Sequence, residues 1–255
     1  GIINFAYWLA KHDLTYQNID SKGLQLVDEY AEAWSYYLIK ASADLAVEFG
    51  APSGNMETKY GHGITPNQTY KKDLDELIPH VERMDWTTLR EQLKDTGIRN
   101  STLMALMPAE TSAQIANATN GIEPPRSLIS VKQSKHGVLK QVVPEYKRLK
   151  NKYDLLWDQK SPEGYLKIMA VLQKYIDQGI SINTSYNPIF FEDEKIPMST
   201  MLQHMLMFYK YGGKQLYYFN TNDGQGELDV GKMMGELPEL AQSDIDDEDC
   251  ESCKI

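Results

Sequence analysis

The chain has 255 residues, enough for one large or two small domains, and its 42% hydrophobic and 10% aromatic content calls for a packed core rather than disorder. Its net charge of -10 is concentrated at one end: residues 227–255 hold ten acidic residues against Lys232 and Lys254, leaving the body near neutral. This balance excludes the basic face that nucleic-acid binding needs, and no apolar run approaches the length of a membrane span.

The apolar start, Gly1–Ala10, lacks a basic leading region and carries Asn4, Tyr7 and Trp8, so it does not read as a signal peptide. Residues 23–49 read as a helix with Leu26, Tyr30, Trp34, Tyr37, Leu38, Ala41, Leu45 and Phe49 as its apolar stripe. Gly50 and Pro52 are its stop. Thr65-Pro66 opens a second helix to about Ile78, with proline at the tolerated first position. Asp85 caps a third, from Trp86 to about Thr96, stopped by Gly97.

Thr102–Met107 is a short apolar run whose length and flanks favour a buried strand. Pro108-Ala109-Glu110-Thr111-Ser112 follows, then a helix-compatible stretch to Ala118 and a rigid turn region at Asn120-Gly121 and Pro124-Pro125. Residues 127–131 and 139–143 read as strands paired across His136-Gly137. Pro144 to Trp157 reads as a helix with Tyr146, Leu149, Tyr153 and Leu156 on one face. Ser161-Pro162 starts another to about Gln178, with Tyr165, Ile168, Met169, Leu172 and Ile176 as its stripe. A strand at 180–186, a helix from Pro197 to about Tyr211 and a strand at 215–220 complete the pattern. Helices alternating with short apolar strands give an α/β class, with about five strands, too few for a closed barrel.

Three segments carry chemistry. The strand–Pro108-Ala109-Glu110-Thr111-Ser112–helix junction presents free N–H groups, two hydroxyls and a helix dipole, a workable phosphate cradle; it also reads as an ordinary helix start capped by Thr111 or Ser112. Tyr217 and Tyr218 are adjacent in a strand, where side chains alternate between faces and aromatics commonly pack. Both phenols meet at one site only if the chain bends or the strand ends there, and they could then form a radical relay. Cys250 and Cys253, the only cysteines, form a C-x-x-C pair at the end of the acidic segment. A dithiol/disulfide carrier fits this pair better than zinc, whose four ligands the scattered histidines do not complete; two surface thiols without a role are the plain alternative. Thiols in an acidic chain fit the reducing cytoplasm.

Read together, Arg99-Asn100-Ser101-Thr102, the run Met107 to Arg126, Leu216 to Thr221 followed by Asp223-Gly224, and Cys250 to Ile255 strongly resemble the large catalytic subunit of class Ia ribonucleoside-diphosphate reductase, of the bacterial and T-even-like phage type. The likeness covers all of this chain but only about the last third of that subunit. It implies the C-terminal portion of a ten-stranded α/β barrel with a small α+β insertion and a disordered acidic tail. Residues 1–130 would be later barrel strands and helices with the diphosphate loop, 131–212 the insertion, 213–225 the strand with the tyrosine pair, and 226–255 the redox tail.

By position, Pro108, Ala109, Glu110, Thr111 and Ser112 look like the substrate-diphosphate loop, with Ala109 where the family often has serine. Tyr217 and Tyr218 look like the radical-transfer pair, so their rings are expected to stack. Cys250 and Cys253 look like the shuttle that re-reduces the active-site disulfide, although many bacterial relatives space these cysteines further apart. No metal or cofactor is expected on this chain; the diiron–tyrosyl radical centre belongs to the small subunit. The implied partners are that small subunit, thioredoxin or glutaredoxin, a ribonucleoside diphosphate and an N-terminal large-subunit fragment, in the cytoplasm (a host's, if phage-encoded). The fragment is expected because the thiyl-forming and reducing cysteines of the family lie before Gly1, and the glycine start suits a new initiator methionine removed from a split gene product. Two other readings compete with this one: a non-catalytic relic that associates with an intact large subunit and regulates it, or a free-standing dithiol redox carrier.

Overall fold

A computed structural model describes residues 1–134 and 137–222. The chain opens with α1 (Phe5–Lys11) and continues into the long α2 (Ser21–Phe49). Asp20 caps α2 by accepting the Gly23 N–H at 2.8 Å, and Gly50, at φ 77°, ends it in a conformation that favours glycine. The helix is where the periodicity puts it, but its buried face is only partly so: Tyr30, Trp34 and Leu38 of the expected stripe pack half-buried against the core, while the fully buried positions are others. Leu24, Val27, Ala31, Ile39, Ala43 and Ala46 are buried, whereas Tyr37, Leu45 and Phe49 of the expected stripe are 60%, 42% and 63% exposed. The buried face was masked by Asp28, Glu32, Ser35 and Ser42, polar residues that go inside with partners supplied from elsewhere in the chain.

Those partners form a compact charge network. Asp28 accepts from Lys174 Nζ, the Tyr175 hydroxyl and Arg83 Nη1, each at 2.9 Å. Glu32 accepts from the Arg83 N–H (2.6 Å), Arg83 Nη1 (2.8 Å), the Trp86 indole (2.9 Å) and the Met84 N–H (3.1 Å). Burial pushes the Glu32 carboxyl up, but these hydrogen bonds outweigh it and leave the group below the ordinary range.

Between α2 and α3 (Trp86–Thr96) the expected helix at 65–78 is two short 3₁₀ turns, Pro66–Gln68 and Lys72–Glu76. Thr65 and Gln68 form a reciprocal capping box around the first turn, but Lys71 is extended at ψ 121° and separates it from the second. After α4 (Glu110–Ile115) comes the antiparallel hairpin of β1 (Ile129–Ser134) and β2 (Gly137–Val142), with Ser134 opposite Gly137. The long helix expected over 144–157 is only α5 (Tyr146–Leu149) and a 3₁₀ turn at Leu156–Asp158. Tertiary bonds compete with it: the Tyr153 hydroxyl donates to Pro144 O, the Leu156 N–H to Pro125 O, and Asp154 accepts the Gln17 N–H.

α6 (Glu163–Gln173) is buried along nearly its whole circumference and packs on α2; it stops earlier than its sequence pattern, before the buried Lys174. Gly164 is required there, because a Cβ would lie 2.0 Å from Tyr16 O. Residues Ile2 to Ile182 thereby share one apolar cluster with Phe208, so α6 and the segment after it, inside the span read as an insertion, contribute to the same core as α1, α2 and α3. β3 (Thr184–Tyr186), α7 (Met198–Lys210) and β4 (Phe219–Thr221) follow, and β3 and β4 pair in parallel. Residues 103–107 join on the other side through a parallel bridge from Leu106 to Ile180, so three parallel segments lie side by side. The architecture is mixed α/β.

Candidate functional site

The segment Pro108–Ser112 stands at the end of the first of these parallel segments. Ala109 occupies the cap position of α4 and offers no side-chain cap, so the N–H groups of the first turn are not closed off by it. Glu110, Thr111 and Ser112 are exposed. The loop is held from below: the Ala109 N–H donates to Asn120 Oδ1 at 2.8 Å, and the Ala118 N–H to Ala113 O. Gly121, at φ 50°, lies against Met107, where a Cβ would come 3.3 Å from its carbonyl oxygen. The start of the chain completes the seat, with the Asn4 N–H on Thr119 O and the Phe5 N–H on Gly121 O.

The tyrosine pair owes its geometry to a slip in the β3–β4 ladder. The Tyr217 N–H donates to Ile182 O at 2.7 Å, which sets Ile182 opposite Leu216. The Thr184 N–H donates to Tyr218 O at 2.9 Å, and Thr184 is opposite Phe219. Tyr217 and Tyr218 therefore stand against the single residue Asn183, the two-against-one pattern of a β-bulge. The two rings lie with centroids 4.1 Å apart, and the Tyr218 hydroxyl donates to Tyr217 Oη at 3.3 Å. The planes meet at 53°, so the rings, for which the resemblance implied stacking, are in close but tilted contact. Both side chains are 56% exposed. The hydrogen bond to Tyr217 raises the Tyr218 pKa above the usual phenol value.

Sequence reasoning did not single out Asn183 and Glu123. Asn183 Oδ1 accepts the Tyr218 N–H at 3.2 Å, and its Nδ2 donates to Glu123 Oε1 at 2.7 Å. Burial raises the Glu123 pKa, against the Asn183 hydrogen bond and the positive field of Arg126. No spacing rule marks either residue; Glu123 was visible only as part of a rigid Pro-Pro turn region.

Cys250 and Cys253 lie outside the described residues. Among the described residues no group of three or more His, Cys, Asp or Glu is placed to hold a metal ion, and no helix is long and apolar enough to cross a membrane.

The family of the ribonucleotide reductase barrel domain matches residues 1–219. The chain belongs to this family. It is 50% identical over its whole length to ribonucleoside-diphosphate reductase 1 subunit alpha of Salmonella typhimurium, and 49% identical to the Escherichia coli protein of the same name. The alpha subunit of enterobacteria phage T4 is 40% identical, again over the whole chain. In each case the chain spans 32% of the relative's length. The loop at 108–112 and the tyrosines at 217–218 thus lie within the stretch matched to the reductase barrel domain.

Proposed function

We propose that this chain forms the C-terminal part of the catalytic barrel of a class Ia ribonucleoside-diphosphate reductase large subunit, contributing the later strands of a ten-stranded barrel. In the assembled enzyme a ribonucleoside diphosphate becomes the 2′-deoxy product by a radical route. The 2′ oxygen leaves as water while a dithiol supplies two electrons and two protons and closes to a disulfide. The observation that carries this reading is the match of the whole chain, at about half identity, to alpha subunits of that name.

Within the assembly, Pro108, Ala109, Glu110, Thr111 and Ser112 hold the substrate diphosphate. The uncapped first turn of α4 offers main-chain donors, and Thr111 and Ser112 offer hydroxyls. Ala109 removes one hydroxyl relative to a serine but keeps its main-chain N–H, which is already committed to Asn120. Tyr217 and Tyr218 pass the radical from the small subunit, which carries the diiron–tyrosyl centre. Their hydroxyl contact lets one phenol lose an electron and a proton as the other regains them. Cys250 and Cys253 return reducing equivalents from thioredoxin or glutaredoxin to the active-site disulfide. The reducing cytoplasm supplies those carriers.

The test is turnover of this chain assembled with the rest of a large subunit and the small subunit. Tyr217→Phe keeps the ring and removes the oxidisable phenol, so it retains diphosphate binding and loses turnover. Near-normal turnover of that variant removes the relay from the mechanism. A non-catalytic module would tolerate changes at Tyr217 and Thr111 alike.

A further inference from the structure

The tyrosine pair depends on a backbone irregularity, and an irregularity of this kind needs a partner. In a regular strand Tyr217 and Tyr218 would point to opposite faces. The bulge that brings their rings together takes the Tyr218 N–H out of the ladder, and a main-chain donor left without an acceptor is costly. Asn183 Oδ1 takes that N–H at 3.2 Å. The orientation of the amide is not free: Nδ2 faces Glu123 Oε1 at 2.7 Å, so the carboxylate accepts from one end while the main chain donates to the other. Glu123 is in turn fixed by the turn region that follows the diphosphate loop, where the Tyr16 hydroxyl donates to Ile122 O at 2.8 Å. Asn183 and Glu123 also line a cavity of about 10 Å³, together with Gln159, Tyr165 and Ser185. The buried Gln159 Nε2 and Tyr165 hydroxyl have no hydrogen-bond partner among the described residues.

We propose that Asn183, oriented by Glu123, is the positioning residue of the tyrosine pair, latching the bulge that brings both phenols to one side. Neither residue touches the reacting atoms; they act through the Tyr218 main chain. The inference rests on the reading of Tyr217 and Tyr218 as a radical relay, in which one phenol O–H breaks as the other forms and one electron and one proton cross between them. With the latch gone, the ladder returns toward regular alternation and the hydroxyls separate.

The experiment uses the assembled enzyme, with this chain, the rest of the large subunit and the small subunit. Asn183→Leu lowers kcat for a nucleoside diphosphate about tenfold, in line with one lost positioning hydrogen bond, and leaves KM unchanged. Glu123→Leu acts in the same direction, and the double variant is no worse than Asn183→Leu, because both remove one device. Main-chain hydrogen exchange of the peptide containing Tyr218 becomes faster in Asn183→Leu. A normal kcat in Asn183→Leu beside an inactive Tyr218→Phe overturns the latch and leaves the relay standing. Full turnover in Tyr218→Phe overturns the relay; the latch is then decided by exchange alone, and an unchanged Tyr218 amide overturns it. Should Asn183→Leu fail to assemble, Glu123→Leu carries the same two readouts, with the original Asn183 in place.

Discussion

Replacing Asp28 by leucine tests the charge network that ties α2 to the end of α6. Asp28 is 1% exposed and Lys174 2% exposed, and their charges meet at 2.9 Å. Removing the carboxylate strands the Lys174 ammonium in the core and takes the acceptor from the Tyr175 hydroxyl. Breaking a buried pair from one side costs about 3–5 kcal/mol, and the orphaned hydroxyl places Asp28→Leu toward the upper end. Arg83 loses less, because it keeps Glu32 at 2.8 Å and Glu29 at 3.4 Å. Lys174→Met alone costs less than Asp28→Leu, since Asp28 then keeps Tyr175 and Arg83. The double variant puts two apolar side chains where two charges were, and it is more stable than Asp28→Leu alone by about 1–3 kcal/mol. Urea unfolding followed by tryptophan fluorescence gives the four free energies by linear extrapolation. A loss below about 1 kcal/mol for Asp28→Leu, or strict additivity in the cycle, refutes the reasoning.

Two further outcomes are expected. The Glu32 carboxyl is held below its unfolded value, so its contribution is complete above that value, near pH 4.5, and is lost as pH falls through the folded pKa. Glu32→Gln should therefore be less stable at neutral pH and lose less stability on acidification than the parent; equal acid slopes in urea titrations argue against the assignment. For the dithiol, Cys250→Ser or Cys253→Ser in the assembled enzyme should abolish multiple turnover with thioredoxin while a single turnover persists, and sustained turnover by the double variant removes the shuttle role.

The helices with a strong local signal were legible. Asp85 accepts the Thr88 N–H as the cap of α3, and the apolar stripe of α6 is buried as its spacing requires. Periodicity misled where polar residues go inside. Tyr37 and Phe49 looked like the core of α2 because Asp28 and Glu32 looked like its surface, and only the distant Lys174, Arg83 and Trp86 reverse that order. The stretch 144–157 carried a helical stripe, but contacts from Gln17 and Pro125 are absent from any local window. At the candidate site, the loop and the tyrosines were legible as segments, chiefly through resemblance. Their support was not, because Asn183 acts from 35 positions away on Tyr218 and from 60 on Glu123.

A common device explains why such short strands hold these segments in place. The parallel ladder is interrupted repeatedly between 103 and 222, and side chains from 173–183 fill the gaps. Asp177 accepts the Leu103 N–H at 2.8 Å and the Met104 N–H at 3.1 Å, where the first segment begins. Gln173 Oε1 accepts the Ile180 N–H at 3.1 Å beside the bridge to Leu106. Asn183 does the same for Tyr218 at the bulge. Each replaces a ladder bond that the backbone does not make, so irregular backbone is retained without buried donors left open. The residues that end α6 and lead into β3 thus set the register of the strands on both sides, one leading to the 108–112 loop and the other carrying the tyrosine pair. Because α6 is itself fixed to α2 through Lys174 and Tyr175, disturbing Asp28 should shift the tyrosine pair as well as lower stability.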